Sequence, residues 1–247
     1  MDAKIAVVTG GAGSIGAAAA HRLGKAGYQV ALIDINREGT EKIGKELGTS
    51  AIYAPCNVAE LGEVRQAIDD IESRFGEIHV LVNTAGGNQG LGFSRKLYWE
   101  IDLAERETLL KVNLYSTLNA CYAVMPGMVK RRRGNIVNIA SGQGLKGGAG
   151  LATYSAAKGA VVTFTQALSV EAGPYGIRVN SIAPGAVQSA WRVDEKEEAR
   201  KREEANIPLR QRTSPDDVAA AVAFLVSDEA KHITGACIDV SGGVALH

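Results

Sequence analysis

Short apolar runs rich in β-branched residues alternate with longer helical patterns along almost the whole chain. This alternation constrains the fold more than any other feature. The spacing predicts strands over residues 5–9, 29–34, 51–54, 78–82, 135–140, 177–182 and 236–240. It predicts helices over 14–26, 37–47, 61–75, 153–172 and 215–226, with a long helical region over 101–130. The strands lack polar alternation, as expected where helices cover both faces. Repeated strand–helix–strand units close into a parallel, doubly wound α/β sheet with right-handed crossovers. No linker, composition break or repeat divides the 247 residues, so a single domain is expected over 1–247.

The first strand runs into Thr9-Gly10-Gly11-Ala12-Gly13-Ser14-Ile15-Gly16 and then a helix. Small residues here permit a tight turn and let backbone N–H groups approach a pyrophosphate at the helix N-terminus. The position of the glycines between strand and helix, more than the glycines alone, points to a dinucleotide. The second strand ends in Asp34, where a carboxylate accepts hydrogen bonds from both ribose hydroxyls of adenosine and repels a 2′-phosphate. Ala12, Gly13 and Ile35 supply no compensating cation, so NAD is favoured over NADP; Arg37 is the nearest candidate to reverse that.

Tyr154 and Lys158 are four residues apart on a predicted helix and share a face. A free phenol titrates near 10 and is a poor acid or base at neutral pH. A neighbouring ammonium favours the phenolate, so the pair is expected to act as a tuned acid/base for carbonyl–alcohol interconversion.

Composition excludes several other classes. Lys plus Arg and Asp plus Glu both total 27, so the chain lacks the basic excess of a nucleic-acid or membrane-surface binder. The run Lys130-Arg131-Arg132-Arg133 reads as a solvated helix end whose cations complement the helix dipole. Cys56, Cys121 and Cys237 are widely spaced, which fits free cytosolic thiols better than disulfides, and the four histidines have no ligand spacing. No metal site is expected. No signal-peptide pattern and no apolar run of membrane-spanning length is seen, so a cytoplasmic location is expected.

Several separate motifs resemble the short-chain dehydrogenase/reductase family, end to end. The Thr9–Gly16 turn is similar to the family's T-G-x-x-x-G-x-G, and Asn83-Thr84-Ala85-Gly86 to its N-N-A-G. Asn113 lies in Val112-Asn113-Leu114 as the family's helix asparagine does, and Ser141 precedes Tyr154 by the usual thirteen residues. Asn180 through Gly185 resembles the segment flanking the nicotinamide, and Gly235 through Gly243 the closing strand. The resemblance implies a Rossmann-type fold and a catalytic set of Asn113, Ser141, Tyr154 and Lys158. Ser141 would position the substrate oxygen, Tyr154 would exchange its proton, Lys158 would hold the ribose and acidify Tyr154, and Asn113 would anchor a water. It implies coenzyme contacts from Gly10, Gly13, Ser14, Ile15, Gly16, Asp34, Ile35, Asn57, Val58, Asn83, Ala85, Gly86, Tyr154, Lys158, Pro184, Gly185, Val187 and Ser189. It also implies a homotetramer, paired through the helices at 101–130 and 153–172. This sequence departs from the pattern at Ser14, Thr84, Asn57 and Ser189, and none of these removes a catalytic group.

The substrate is less legible. Gln143 and Trp191 are candidate contacts: the glycines of 143–148 leave room, and 186–206 reads as a mobile lid on which Trp191 either stacks on substrate or pins the lid. Arg95 and Lys96 either attract an anionic substrate or belong to a solvated loop. The reading is an NAD(H)-linked oxidoreductase acting on a small secondary alcohol or ketone of polyol, sugar, cyclic-alcohol or hydroxy-acid type. The alternatives are a 3-oxoacyl-thioester reductase, which Asp34 disfavours because that variant more often uses NADPH, and a non-catalytic dinucleotide-binding regulator.

Overall fold

The computed structural model describes residues 4–48, 51–87, 92–93, 95–188 and 196–244. Seven parallel strands form one sheet in the order β3-β2-β1-β4-β5-β6-β7. They are β1 (Ile5–Thr9), β2 (Gln29–Asp34), β3 (Ala51–Pro55), β4 (Ile78–Asn83), β5 (Gly134–Ile139), β6 (Ile177–Pro184) and β7 (Cys237–Val240). The strand order reverses between β1 and β4, so the connections leaving their carboxyl ends diverge and open a crevice there.

Side chains alternate across the sheet and supply two cores. Ile5 and Val7 of β1 face α3 (Leu61–Phe75), α5 (Ser116–Arg131) and α7 (Ala152–Ala172). Ala6 and Val8 face α1 (Ser14–Lys25) and α9 (Pro215–Val226). Helix α2 (Arg37–Leu47) packs beside β2 and β3. The strands are apolar throughout because both faces are covered.

The long helical region expected over 101–130 is broken. It consists of α4 (Leu103–Leu110), a π-helical turn at Lys111–Tyr115, and α5. Side chains satisfy groups that the wider turn displaces: Asn113 donates to the Leu109 carbonyl at 3.1 Å and the Ser116 hydroxyl to the Val112 carbonyl at 2.8 Å. A second difference lies after β5, where α6 (Gly142–Lys146) occupies a stretch expected to be open loop. Within 186–206, residues Glu197–Ala205 form α8. Its C-terminal side is tied down by buried Ile207, by an ion pair from Glu203 to buried Arg212, and by Thr213, which donates to the Val240 carbonyl at 2.9 Å.

The basic run at 130–133 is used structurally. Arg131 pairs with Glu72 at 3.2 Å and also donates to the Ile78 carbonyl, while Arg132 donates to the Pro174 carbonyl and lies over the Tyr175 ring.

A buried polar chain crosses the layer between sheet and helix. The Thr9 hydroxyl donates to Asn83 Oδ1 at 3.3 Å, Asn83 Nδ2 to Asn138 Oδ1 at 2.9 Å, and Asn138 Nδ2 to the Thr165 hydroxyl at 2.9 Å. It links β1, β4 and β5 to α7. Asn138→Leu keeps the branching at Cγ but strands donors and acceptors on both sides, and a buried unpaired group costs about 1–3 kcal/mol. Urea denaturation is expected to show a loss of at least about 2 kcal/mol; an unchanged midpoint would show that the chain contributes nothing to stability.

Candidate active site

The glycine turn is shaped by contacts that leave no space for side chains. Gly10 sits at φ +67, and a Cβ there would come within 2.7 Å of the Ala85 nitrogen. A Cβ on Gly16 would collide with the Gly10 carbonyl. Thr84, in place of the family's second asparagine, donates its hydroxyl to the Thr9 carbonyl at 2.6 Å and closes the turn onto β4. Gly13 caps α1 without any side-chain acceptor, and no acid stands in the first turn. The N–H groups of that turn and the positive end of the helix dipole therefore face the cleft uncompensated, and this donor set fits a phosphate.

Asp34 holds this turn from the side. Its Oδ2 accepts from the Ala12 N–H at 3.0 Å and its Oδ1 from the Asn36 N–H at 2.9 Å. Two lone-pair positions remain for ribose hydroxyls. Ile35 is 75% exposed beside it. Arg37 is engaged by Glu41 at 2.8 Å. Asn57 Oδ1 accepts from the Ala59 N–H at 3.1 Å, in a turn at the end of β3. The Val58 carbonyl accepts from Asn119 at 3.2 Å.

A cleft of about 390 Å³ lies over the strand ends. Of the expected residues, Gly10, Gly13, Ser14, Ile15, Gly16 and Gly86 line it, together with Ser141, Gln143, Tyr154, Lys158, Pro184, Gly185 and Val187. Asp34, Ile35, Asn57 and Val58 lie outside this volume, along the outer edge of the sheet. Asn83 and Ala85 do not line it either. The Asn83 side chain is spent on the buried polar chain, and the Ala85 backbone packs against Gly10, so both act from behind the cleft wall. Ser189 and Trp191 lie outside the described residues.

Ser141 ends the β5 connection and caps α6, accepting from the Gln143 N–H at 3.1 Å. Its hydroxyl lies close enough to Tyr154 to lower the phenol's pKa. Two of the glycines that follow, Gly144 and Gly148, are filled by protein contacts and leave no room for substrate, contrary to expectation, whereas nothing approaches Gly147. A Cβ on Gly144 would stand 2.6 Å from the Lys158 carbonyl carbon, and one on Gly148 would overlap the Gln143 amide oxygen. Gly144 instead lets α6 seat backbone to backbone on α7, which brings Ser141 against the helix carrying Tyr154 and Lys158.

Lys158 is 3% exposed and donates to the Ile139 carbonyl at 2.9 Å. Burial pulls its ammonium down to about 8. Tyr154 does not show the expected acidification. Burial raises it above the ordinary phenol value, with a smaller lowering from the Ser141 hydroxyl, and no effect of Lys158 is resolved. The shared helix face holds, but the ammonium is anchored on the Ile139 carbonyl of β5 and desolvation governs the phenol.

Asn113 is fully buried, and its amide clamps the backbone after β4. Oδ1 accepts from the Gly87 N–H and Nδ2 donates to the Gly87 carbonyl, both at 2.8 Å. Gly86, at φ +128, passes between Asn113 and Lys158, where a Cβ would lie 2.8 Å from Asn113 Oδ1 and 3.3 Å from Lys158 Nζ. The Asn113 amide is thus committed to the backbone, and any water it anchors would have to bind through another of its atoms.

Sequence reasoning missed Thr84, Lys146, Leu151, Asn206, Ile207 and Ser241, all of which line the cleft. Among the described residues there is no cluster able to hold a metal and no helix long and apolar enough to cross a membrane.

A glycine-turn phosphate cradle and a Ser–Tyr–Lys group on one cleft over a doubly wound sheet define a dinucleotide-linked oxidoreductase. A family model described as Enoyl-(Acyl carrier protein) reductase matches residues 10–245, and the chain belongs to the short-chain dehydrogenase/reductase family. It is 36% identical over 100% of its length to a 3-oxoacyl-[acyl-carrier-protein] reductase of Bos taurus, covering 99% of that protein. It is 35% identical to an acetoacetyl-CoA reductase of Allochromatium vinosum (99% of this chain, 100% of the other). It is also 35% identical to a 4-formylbenzenesulfonate dehydrogenase of Comamonas testosteroni, over 98% of each. A crystal structure of a Brucella melitensis 3-ketoacyl-(acyl-carrier-protein) reductase complexed with NADH superposes with a TM-score of 0.91, at 28% identity and 99% coverage of both chains. The chain is an oxidoreductase of CH–OH and keto groups. Among its relatives the thioester reductases outweigh the polyol-type substrates that the sequence had put first.

The Lys158 value carries a stability signature. Below about 8 the buried cation is a cost; from there to the unfolded value of 10.5 the unfolded chain binds more protons, so stability rises with pH. Lys158→Met lacks this gain. The wild-type minus mutant unfolding free energy is expected to move in favour of wild type by on the order of 3 kcal/mol over that window. A difference that stays flat from pH 7 to 10 would mean the ammonium is not buried.

Proposed function

We propose that the chain interconverts a 3-oxoacyl thioester and the corresponding 3-hydroxyacyl thioester using NAD(H). The observation that carries this reading is the single cleft lined at one end by the glycine turn and at the other by Ser141, Tyr154 and Lys158. The dinucleotide, when bound, supplies or accepts the hydride. Ser141 then holds the substrate oxygen, and Tyr154 gives or takes its proton. Lys158, protonated at neutral pH, holds the ribose and contributes positive charge beneath the site. A phenol raised by burial is protonated at neutral pH, which suits proton donation during carbonyl reduction.

Asp34 supports NAD over NADP, since its carboxylate keeps two acceptor positions that would take ribose hydroxyls and would repel a 2′-phosphate, and Arg37 pairs with Glu41. The objection that thioester reduction calls for NADPH loses weight because the Brucella relative was crystallised with NADH. The region at 186–206 is proposed as a lid hinged on the anchored segment around Ile207 and Thr213. The working form is proposed to be a cytoplasmic homotetramer paired through α5 and α7.

Absorbance of NADH with acetoacetyl-CoA tests the reading directly, alongside a panel of polyols, sugars and cyclic alcohols. The thioester is expected to be the better substrate, with NADH preferred over NADPH at least tenfold in kcat/KM, about 1.4 kcal/mol. Turnover of a polyol with no turnover of the thioester would overturn the substrate, and a tenfold preference for NADPH the coenzyme. Tyr154→Phe keeps the ring and removes the proton; kcat is expected to fall to a few per cent of wild type or less, and a variant retaining more would exclude Tyr154 as the acid.

A further inference from the structure

We infer that the substrate carries an anionic group, held on the cleft wall by Arg95 and Lys146; this deepens the thioester reading and rests on it. Arg95 lines the cleft with Tyr154, and its position is fixed locally. The Lys96 N–H donates to the Gly150 carbonyl at 3.3 Å, and a Cβ on Gly150, at φ +72, would lie 3.0 Å from the Arg95 Cβ. The loop after β4 is therefore seated four residues before Tyr154.

The neighbouring charges leave Arg95 exposed toward ligand. Lys96 is neutralised by Glu105. Among the described residues Arg95 has no ion pair and no hydrogen bond. Lys146 ends α6, five residues after Ser141, and among the described residues its ammonium touches only a neutral acceptor, the Val244 carbonyl at 3.3 Å. The sole carboxylate lining the cleft among the described residues is Glu203, and Arg212 bridges it. This wall thus carries net positive charge, and the concave surface focuses that field on whatever enters. The Gln143 amide oxygen, buried in the same wall without a partner, marks it as a surface that reads polar groups rather than a bare alkyl chain. A phosphate or carboxylate matches a guanidinium fork and an ammonium that line one cleft.

Such an anion has two sources: phosphates of the thioester carrier, or a carboxylate on the acyl chain. Three thioesters separate them: acetoacetyl-CoA, the neutral N-acetylcysteamine thioester of acetoacetate, and an N-acetylcysteamine thioester whose 3-oxoacyl chain ends in a carboxylate. The readout is kcat/KM for each anionic substrate divided by that for the neutral one. Arg95→Gln is expected to lower one ratio at least tenfold, mainly through KM, with Arg95→Lys intermediate and Lys146→Gln acting in the same direction. A fall in the CoA ratio assigns the anion to the carrier, and a fall in the carboxylate ratio to the acyl chain. Ratios unchanged in both Arg95 variants overturn the inference. If the wild type reduces no thioester, the proposed function fails by itself. Calorimetric titration of the NAD⁺-saturated protein then decides the anion site. Coenzyme A or glutarate is expected to bind at least tenfold tighter than pantetheine or glutaramide, with the advantage lost in Arg95→Gln. Equal binding of the charged and neutral probes overturns it.

Discussion

Burial of a single ammonium, that of Lys158, is the constraint around which the site is arranged. A cation removed from water needs hydrogen-bond acceptors and close-packed neighbours. The Ile139 carbonyl supplies the former. The latter come from Gly86, which slides between it and Asn113, and from Gly144, which lets α6 settle on the helix backbone at the lysine itself. Each of these approaches needs a residue without a side chain. Ser141 and Tyr154, to which catalysis is assigned in the proposed function, are brought together as a consequence of this packing around the charge.

The interior beneath the site is unusually polar for a sheet–helix layer. Thr9, Asn83, Asn138 and Thr165 hydrogen-bond in series from β1 to α7. Cys121 is drawn into the same network, and its thiol, pushed up to about 12 by burial, stays protonated. A satisfied buried network of this kind fixes one arrangement of the strands and of the helix that carries the chemistry, since any sliding leaves several groups unpaired.

Period and composition made the sheet and most helices legible. Strand β2 and helices α2, α3 and α9 have the bounds that apolar patterning predicts, the helices because each buries one face and β2 because both of its faces are covered. The break at Lys111–Tyr115 was not legible. Every residue there tolerates an ordinary helix, and the wider turn follows from the tertiary clamp of Asn113 on Gly87. Helix α6 was hidden for a related reason: its glycines read as loop, whereas they are required by helix-on-helix contact. At the site, the residues on strand ends and helix faces could be placed from spacing. The motif gave the location of Asn83 and not the direction of its side chain, which turns into the buried polar chain. Tyr154 was expected to be acidified because spacing reveals a partner and conceals how deeply both groups are buried. Arg95 reaches the cleft through loop placement and Lys146 from the end of the five-residue α6, and neither carries a periodic signal.

Gly144 has a wider implication for how chains of this kind diversify. The contact it makes with the backbone of α7 admits no added methyl group, so the serine, tyrosine and lysine are effectively welded into one unit. Variation that alters what is bound is therefore driven outward, to the segments that follow β4 and β6. There, new side chains alter the mouth of the cleft while Ser141, Tyr154 and Lys158 keep their geometry.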